Sequence, residues 1–129
     1  MNRTGTNPIR WLTILPLMAM VLFLTGCSSN NKGKIEGTKW SSNATTVKDK
    51  ALPAGVLALE FAADGKLVYQ AGPVRLTGTY SLGGGDSVTF NLDQDLAGRK
   101  NHVEKITISD NTLTMRDSDG TSVSFSKVK

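Results

Sequence analysis

From Ile35 to the C-terminus the apolar residues recur at every second position, and this period of two constrains the chain more than any other feature. Leu57, Leu59 and Phe61 alternate with Ala58 and Glu60. Val74, Leu76, Gly78, Tyr80 and Leu82 alternate with Arg75, Thr77, Thr79 and Ser81. The pattern continues through Val88, Phe90 and Leu92, through Ile106 and Ile108, through Leu113 and Met115, and through Val123 and Phe125. Strict alternation with Thr and Ser on the other face is the mark of a half-buried strand, because successive strand side chains point to opposite faces. Between these runs lie Ala63-Asp64-Gly65, Gly83-Gly84-Gly85-Asp86, Asp110-Asn111 and Ser118-Asp119-Gly120. Gly, Asn and Asp tolerate the positive φ of tight turns, so hairpins are expected at 62–66, 82–87, 109–112 and 117–121. Strands at 37–42 and 66–70 bring the count to eight. The long connections, 42–53 and 93–102, are each expected to hold a helical turn.

Eight short sequential strands joined by hairpins predict an all-β fold, a small antiparallel meander barrel, with a two-sheet β-sandwich as the alternative. Closure removes the exposed edges that such a sheet would otherwise carry. Runs of mostly five to nine residues fall short of the 9–11 or so that a membrane-spanning strand needs.

The N-terminus has a different character. Arg3 and Arg10 are the only charges before residue 32, and the apolar run 11–24 (WLTILPLMAMVLFL) follows them. As a helix its fourteen residues would span about 21 Å, short of a hydrocarbon core of ~30 Å, and Pro16 interrupts it. Residues 1–26 therefore read as a signal peptide. The sequence Leu24-Thr25-Gly26-Cys27 resembles the bacterial lipobox. That resemblance implies a diacylglyceryl group on the Cys27 thiol, cleavage before Cys27, and a membrane anchor at the new N-terminus. Ser28, where an Asp would signal inner-membrane retention in enterobacteria, implies the outer membrane facing the periplasm. Residues 28–34 (SSNNKGK) read as a flexible tether averaging about 15 Å end to end, which leaves 35–129 as the folded domain.

Composition narrows the chemistry. With Arg3 and Arg10 removed, 13 basic residues face 11 acidic ones, a net charge of +2 and no electrostatic case for nucleic acid. Cys27 is the only cysteine and His102 the only histidine. No disulfide and no multi-Cys or multi-His metal site can be built within the chain. His102 stands among Arg99, Lys100, Asn101 and Glu104 and reads as a solvated loop residue. No Gly-x-Ser-x-Gly elbow and no phosphate loop occur. Asp117-Ser118-Asp119-Gly120 lacks the downstream Glu of a calcium loop and reads as a hairpin turn. Neither an enzyme nor a cofactor or metal is expected.

The order Gly37-Thr38-Lys39-Trp40, then Leu59-Glu60-Phe61 with Asp64-Gly65-Lys66, then Gly78-Thr79-Tyr80-Ser81-Leu82 through Gly85-Asp86 to Val88-Thr89-Phe90 is similar to that of the small bacterial lipocalin-like lipoproteins. The spacing here is Gly-x-x-Trp where lipocalins carry Gly-x-Trp. The resemblance implies a barrel whose floor Trp40 closes. Core or ligand-lining positions would be Trp40, Phe61, Tyr69, Tyr80, Phe90 and Phe125. The expected function is a non-catalytic, membrane-anchored envelope lipoprotein that binds an envelope protein partner, with 93–102 as the first surface to consider. The alternative is a carrier of a small apolar or amphipathic ligand.

Overall fold

The computed structural model describes residues 28–129. The segment read as a signal peptide, the lipobox-like residues 24–27 and the lipid expected on Cys27 lie outside the described residues. Ten strands follow in order: β1 Thr38–Ser42, β2 Thr45–Val47, β3 Lys50–Leu52, β4 Leu57–Phe61, β5 Lys66–Ala71, β6 Val74–Leu82, β7 Ser87–Leu96, β8 Arg99–Ser109, β9 Thr112–Arg116 and β10 Ser122–Val128. Eight of them close into an antiparallel barrel in the order β1-β10-β9-β8-β7-β6-β5-β4. Closure, with β1 paired to both β10 and β4, decides for the barrel over the sandwich. Every strand edge of the barrel is thereby paired.

The alternation of the sequence becomes the inside and outside of the barrel. In β9 the burial of Leu113 and Met115 alternates with exposure of Thr112, Thr114 and Arg116, and β10 buries Val123 and Phe125 in the same way. The interior holds Trp40, Leu59, Phe61, Leu67, Leu76, Val88, Phe90, Ile106, Leu113 and Phe125, all nearly solvent-free. Phe61 sits at the centre of the aromatic packing, edge-on to Tyr80 at 5.1 Å between ring centroids and tilted against Phe90 at 6.0 Å, within the range where aromatic pairs attract. An apolar inside and a polar outside reverse the arrangement of a lipid-embedded barrel.

Strand direction gives the barrel two unlike ends. At one end lie the β4–β5, β6–β7 and β8–β9 turns. At the other lie the β5–β6, β7–β8 and β9–β10 turns and the inserted β2–β3 hairpin. The first end is sealed by the chain before β1. Ser29 pairs with Gly85, Asn30 N–H donates to Gly85 O at 2.9 Å, and Asn31 Nδ2 donates to Ile106 O at 2.9 Å. Ile35 and Asn31 are buried. The expectation of a free tether over 28–34 is thus corrected. An Asn side chain can satisfy a buried backbone carbonyl, and that contact holds a segment whose composition reads only as polar. Among the described residues, the chain is already docked on the barrel at Ser29, ahead of Ile35.

Thr38 and Trp40 are joined on one face of β1. Thr38 Oγ1 donates to Ile35 O and accepts from Trp40 Nε1 at 2.8 Å. The buried indole N–H therefore finds its partner two residues back on the same inward face of β1.

Both long connections differ from the expected helical turns. Residues 45–52 form the β2–β3 hairpin, closed at Lys48 (φ 48°) and Asp49 (φ 63°). Two successive positive φ values are those of a type I′ turn, which matches the twist of paired strands. Residues 93–102 extend β7 and β8 beyond the barrel wall. Their register shifts between Asn91 and Leu96, a bulge that bends the hairpin. Leu96 consequently packs against the core.

Candidate functional site

The open end of the barrel carries a cavity of about 510 Å³. Its apolar wall comes from Tyr69 on β5, Phe90, Leu92 and Leu96 on β7, and Met115 on β9. Its polar side comes from Arg99, Asn101, His102 and Glu104 on β8 and from Asp117 and Asp119 in the β9–β10 turn. The tip of the β2–β3 hairpin reaches it as well. Val47 packs on the core, Lys48 lines the cavity, and Lys48 Nζ lies 3.4 Å from Asp119 Oδ2.

Glu104 is the residue of this site that sequence reading missed. It belongs to the inward face of β8 together with Ile106 and Ile108, while Val103 points out and is 59% exposed. Glu104 itself is only 9% exposed, and its Oε2 has no hydrogen-bond partner among the described residues. Burying a carboxylate without a partner is costly, so such groups resist ionisation. Desolvation, reinforced by the negative charge of Asp117, pushes the Glu104 carboxyl up to about 7. Arg99 acts in the opposite sense and Asp119 adds to the repulsion. Tyr69 is raised in turn, by burial first and then by the charges of Glu104 and Asp117. The signal was available in principle: extending the alternation back from Ile108 and Ile106 places Glu104 inside. The apolar Val103 at the opposite parity and the charge of Glu104 itself argue against that extension.

Asp117 and Asp119 serve the turn between β9 and β10. Asp117 Oδ1 accepts from the backbone N–H groups of Asp119 at 3.1 Å and Thr121 at 3.0 Å, and Asp119 Oδ1 accepts from Thr121 N–H at 2.9 Å. The shared hydrogen bonding of the two carboxyls, with Asp117's side chain the leading cause, holds Asp119 below the usual carboxylate range. Asp117 is raised, chiefly by desolvation.

Of the six positions proposed as core or ligand-lining, Tyr69 and Phe90 reach the cavity. Trp40, Phe61, Tyr80 and Phe125 pack in the core instead, and Tyr80 is fixed by its hydroxyl donating to Ala62 O at 2.7 Å. The aromatic core thus fills the middle of the barrel, and the cavity lies at the end that carries the β7–β8 and β9–β10 turns. His102 is a strand residue rather than a loop residue. It lies on the same face as Glu104, with Nε2 2.9 Å from Arg99 O. Among the described residues no cluster of three or more His, Cys, Asp or Glu is placed to hold a metal. No helix among them is long and apolar enough to cross a membrane.

No protein-family model matches this chain, and no curated protein matches it in sequence.

Proposed function

We propose that this chain is a lipoprotein of the bacterial cell envelope, anchored through lipid on Cys27 in the outer membrane facing the periplasm. Its barrel is a non-catalytic binding module that holds one small amphipathic molecule. The observation that carries this reading is the cavity: an apolar wall of Tyr69, Phe90, Leu92, Leu96 and Met115 facing a polar side on β8. Ligand sites of small barrels commonly combine an apolar lining with a few placed polar groups. The resemblance of the Gly37–Phe90 stretch to lipocalin-like lipoproteins supports the same reading, as does the lipobox at 24–27. Docking of an envelope protein has less support. Among the described residues the large exposed apolar side chains are Val74, Val103 and Val128, each on a different strand, and they do not make the continuous apolar patch expected of such a surface.

Native mass spectrometry of the protein released from its own envelope membranes tests both parts. The expected spectrum shows acylation at Cys27 and a stoichiometric, dissociable added mass. An unmodified Cys27 thiol in membrane-bound protein overturns the anchor. A ligand-free mass under gentle conditions, with no apolar probe able to bind, overturns the carrier.

A further inference from the structure

The cavity contains one feature that an apolar ligand alone would leave costly. The Glu104 carboxyl lines it, is nine-tenths buried, and has an oxygen with no partner among the described residues. We propose that the ligand is an organic cation, an amphipathic amine whose ammonium group pairs with Glu104 while its apolar body lies against Phe90, Leu92, Leu96 and Met115. This inference rests on the carrier reading above and specifies its ligand class.

The surroundings of Glu104 favour a cation over an anion or a neutral donor. From the β9–β10 turn, Asp117 and Asp119 line the same cavity. The β8–β9 pairing Ile106↔Met115 and Lys105↔Arg116, carried one step further, sets Asp117 opposite Glu104 on the inward side. From β5, Tyr69 contributes a neutral hydroxyl. Two cations share the rim. Lys48 is paired with Asp119 at 3.4 Å. Arg99 acts favourably on Glu104 yet makes no ion pair within 4 Å among the described residues. His102 has its Nε2 beside the Arg99 carbonyl. Three carboxyls thus face two cations, one of them already spent. A buried carboxylate short of a partner gains most from a group that brings both positive charge and N–H donors. An ammonium brings both, and its apolar remainder meets the wall opposite. An anionic ligand would face repulsion from all three carboxyls.

Three probes with one carbon skeleton test this: 3-phenylpropylammonium, 3-phenylpropan-1-ol and 3-phenylpropanoate. Each is titrated calorimetrically at pH 8 into the whole protein in lipid nanodiscs, with empty nanodiscs as the blank. The expected order is ammonium tightest, alcohol at least tenfold weaker, carboxylate undetectable. Glu104→Gln should remove the preference for the ammonium, and the fluorescence of the buried Trp40 indole shows that the variant is folded. Equal affinity for all three probes overturns the cation assignment while leaving the carrier intact. Retention of the ammonium preference in Glu104→Gln overturns the role of Glu104. Absence of binding by any probe overturns this inference, and the carrier reading loses its support with it.

Discussion

Asn31 and Ile106 lie 75 residues apart in the chain, and a buried hydrogen bond of 2.9 Å from the Asn31 amide to the Ile106 carbonyl joins the Ser29–Gly85 bridge in holding the N-terminal segment against the barrel. Removing the amide leaves a buried carbonyl unsatisfied, which costs on the order of 1–3 kcal/mol. Asn31→Ala should lower the unfolding free energy by about that amount in urea titration. Asp in the same place should do worse, because a carboxylate cannot donate.

Thr38→Val deletes the oxygen that accepts from the Trp40 indole and keeps the side-chain shape. The expected loss is about 1–3 kcal/mol. Thr38→Ser, which retains the oxygen, should recover most of it. Denaturant midpoints of the two variants, followed by the fluorescence of the buried indole, check the difference.

Gly78 faces inward between Leu76 and Tyr80, where a Cβ would come within 2.1 Å of the Asn91 carbonyl oxygen and 2.8 Å of the Leu92 Cα. Both obstacles are backbone, so the strands themselves would have to part. Overpacking of this kind typically costs 1–3 kcal/mol or more. Gly78→Ala should therefore destabilise the barrel strongly, with amide exchange accelerated first along the β6–β7 pairing.

The β7–β8 turn runs through Ala97 at φ 52° and Gly98 at φ 77°. A left-handed conformation costs an ordinary residue roughly 1–2 kcal/mol, and Asn or Gly suits it better. Ala97→Asn and Ala97→Gly should each raise the thermal midpoint in differential scanning calorimetry.

Glu104 makes the ligand-free protein less stable as pH rises. Its carboxyl titrates near 7 in the folded state against 4.5 for the free group, so between those values the folded protein binds more protons than the unfolded chain. Stability is fully supported below about pH 4.5 and declines through the window up to about 7, by roughly 3 kcal/mol at most. The groups facing it set the surroundings: Asp117 and Asp119, Arg99 and His102, Tyr69, and Lys48. Asp119 is displaced in the other sense, and its contribution is lost only on acidification below the usual carboxylate range. Glu104→Gln should abolish the decline between pH 4.5 and 7 in urea titrations and be more stable than the parent at pH 8.

Most of the barrel was legible because its strands bury one face only. Leu113 and Met115, or Val123 and Phe125, flanked by Thr, Ser and Arg, leave no choice of which side faces in. The four hairpins fell where Asp, Asn and Gly stand. The connections were harder for a definite reason. In Thr45–Val47 and Lys50–Leu52 a three-residue strand is too short to display a period, and its turn uses Lys48-Asp49 where Asn-Gly would have announced it. Between Asn91 and Leu96 the bulge breaks the alternation, so β7 and β8 looked shorter than they are. The site was hidden by parity, since in β8 the apolar Val103 points out and the charged Glu104 points in. Asn31 carried no pattern at all, because its burial depends on a carbonyl far away in sequence.

Under the anchor proposed at Cys27, the docked N-terminal segment would also set which way up the molecule stands. Ser29 is bonded beside Gly85 at the sealed end, and Cys27 precedes it by two residues. With the lipid proposed on Cys27, almost no slack would remain, and the barrel would rest on its closed base like a cup on a table, its opening turned to the water. Cargo would then be exchanged with the aqueous compartment, or with whatever faces the membrane across it, and not drawn sideways out of the bilayer that holds the anchor.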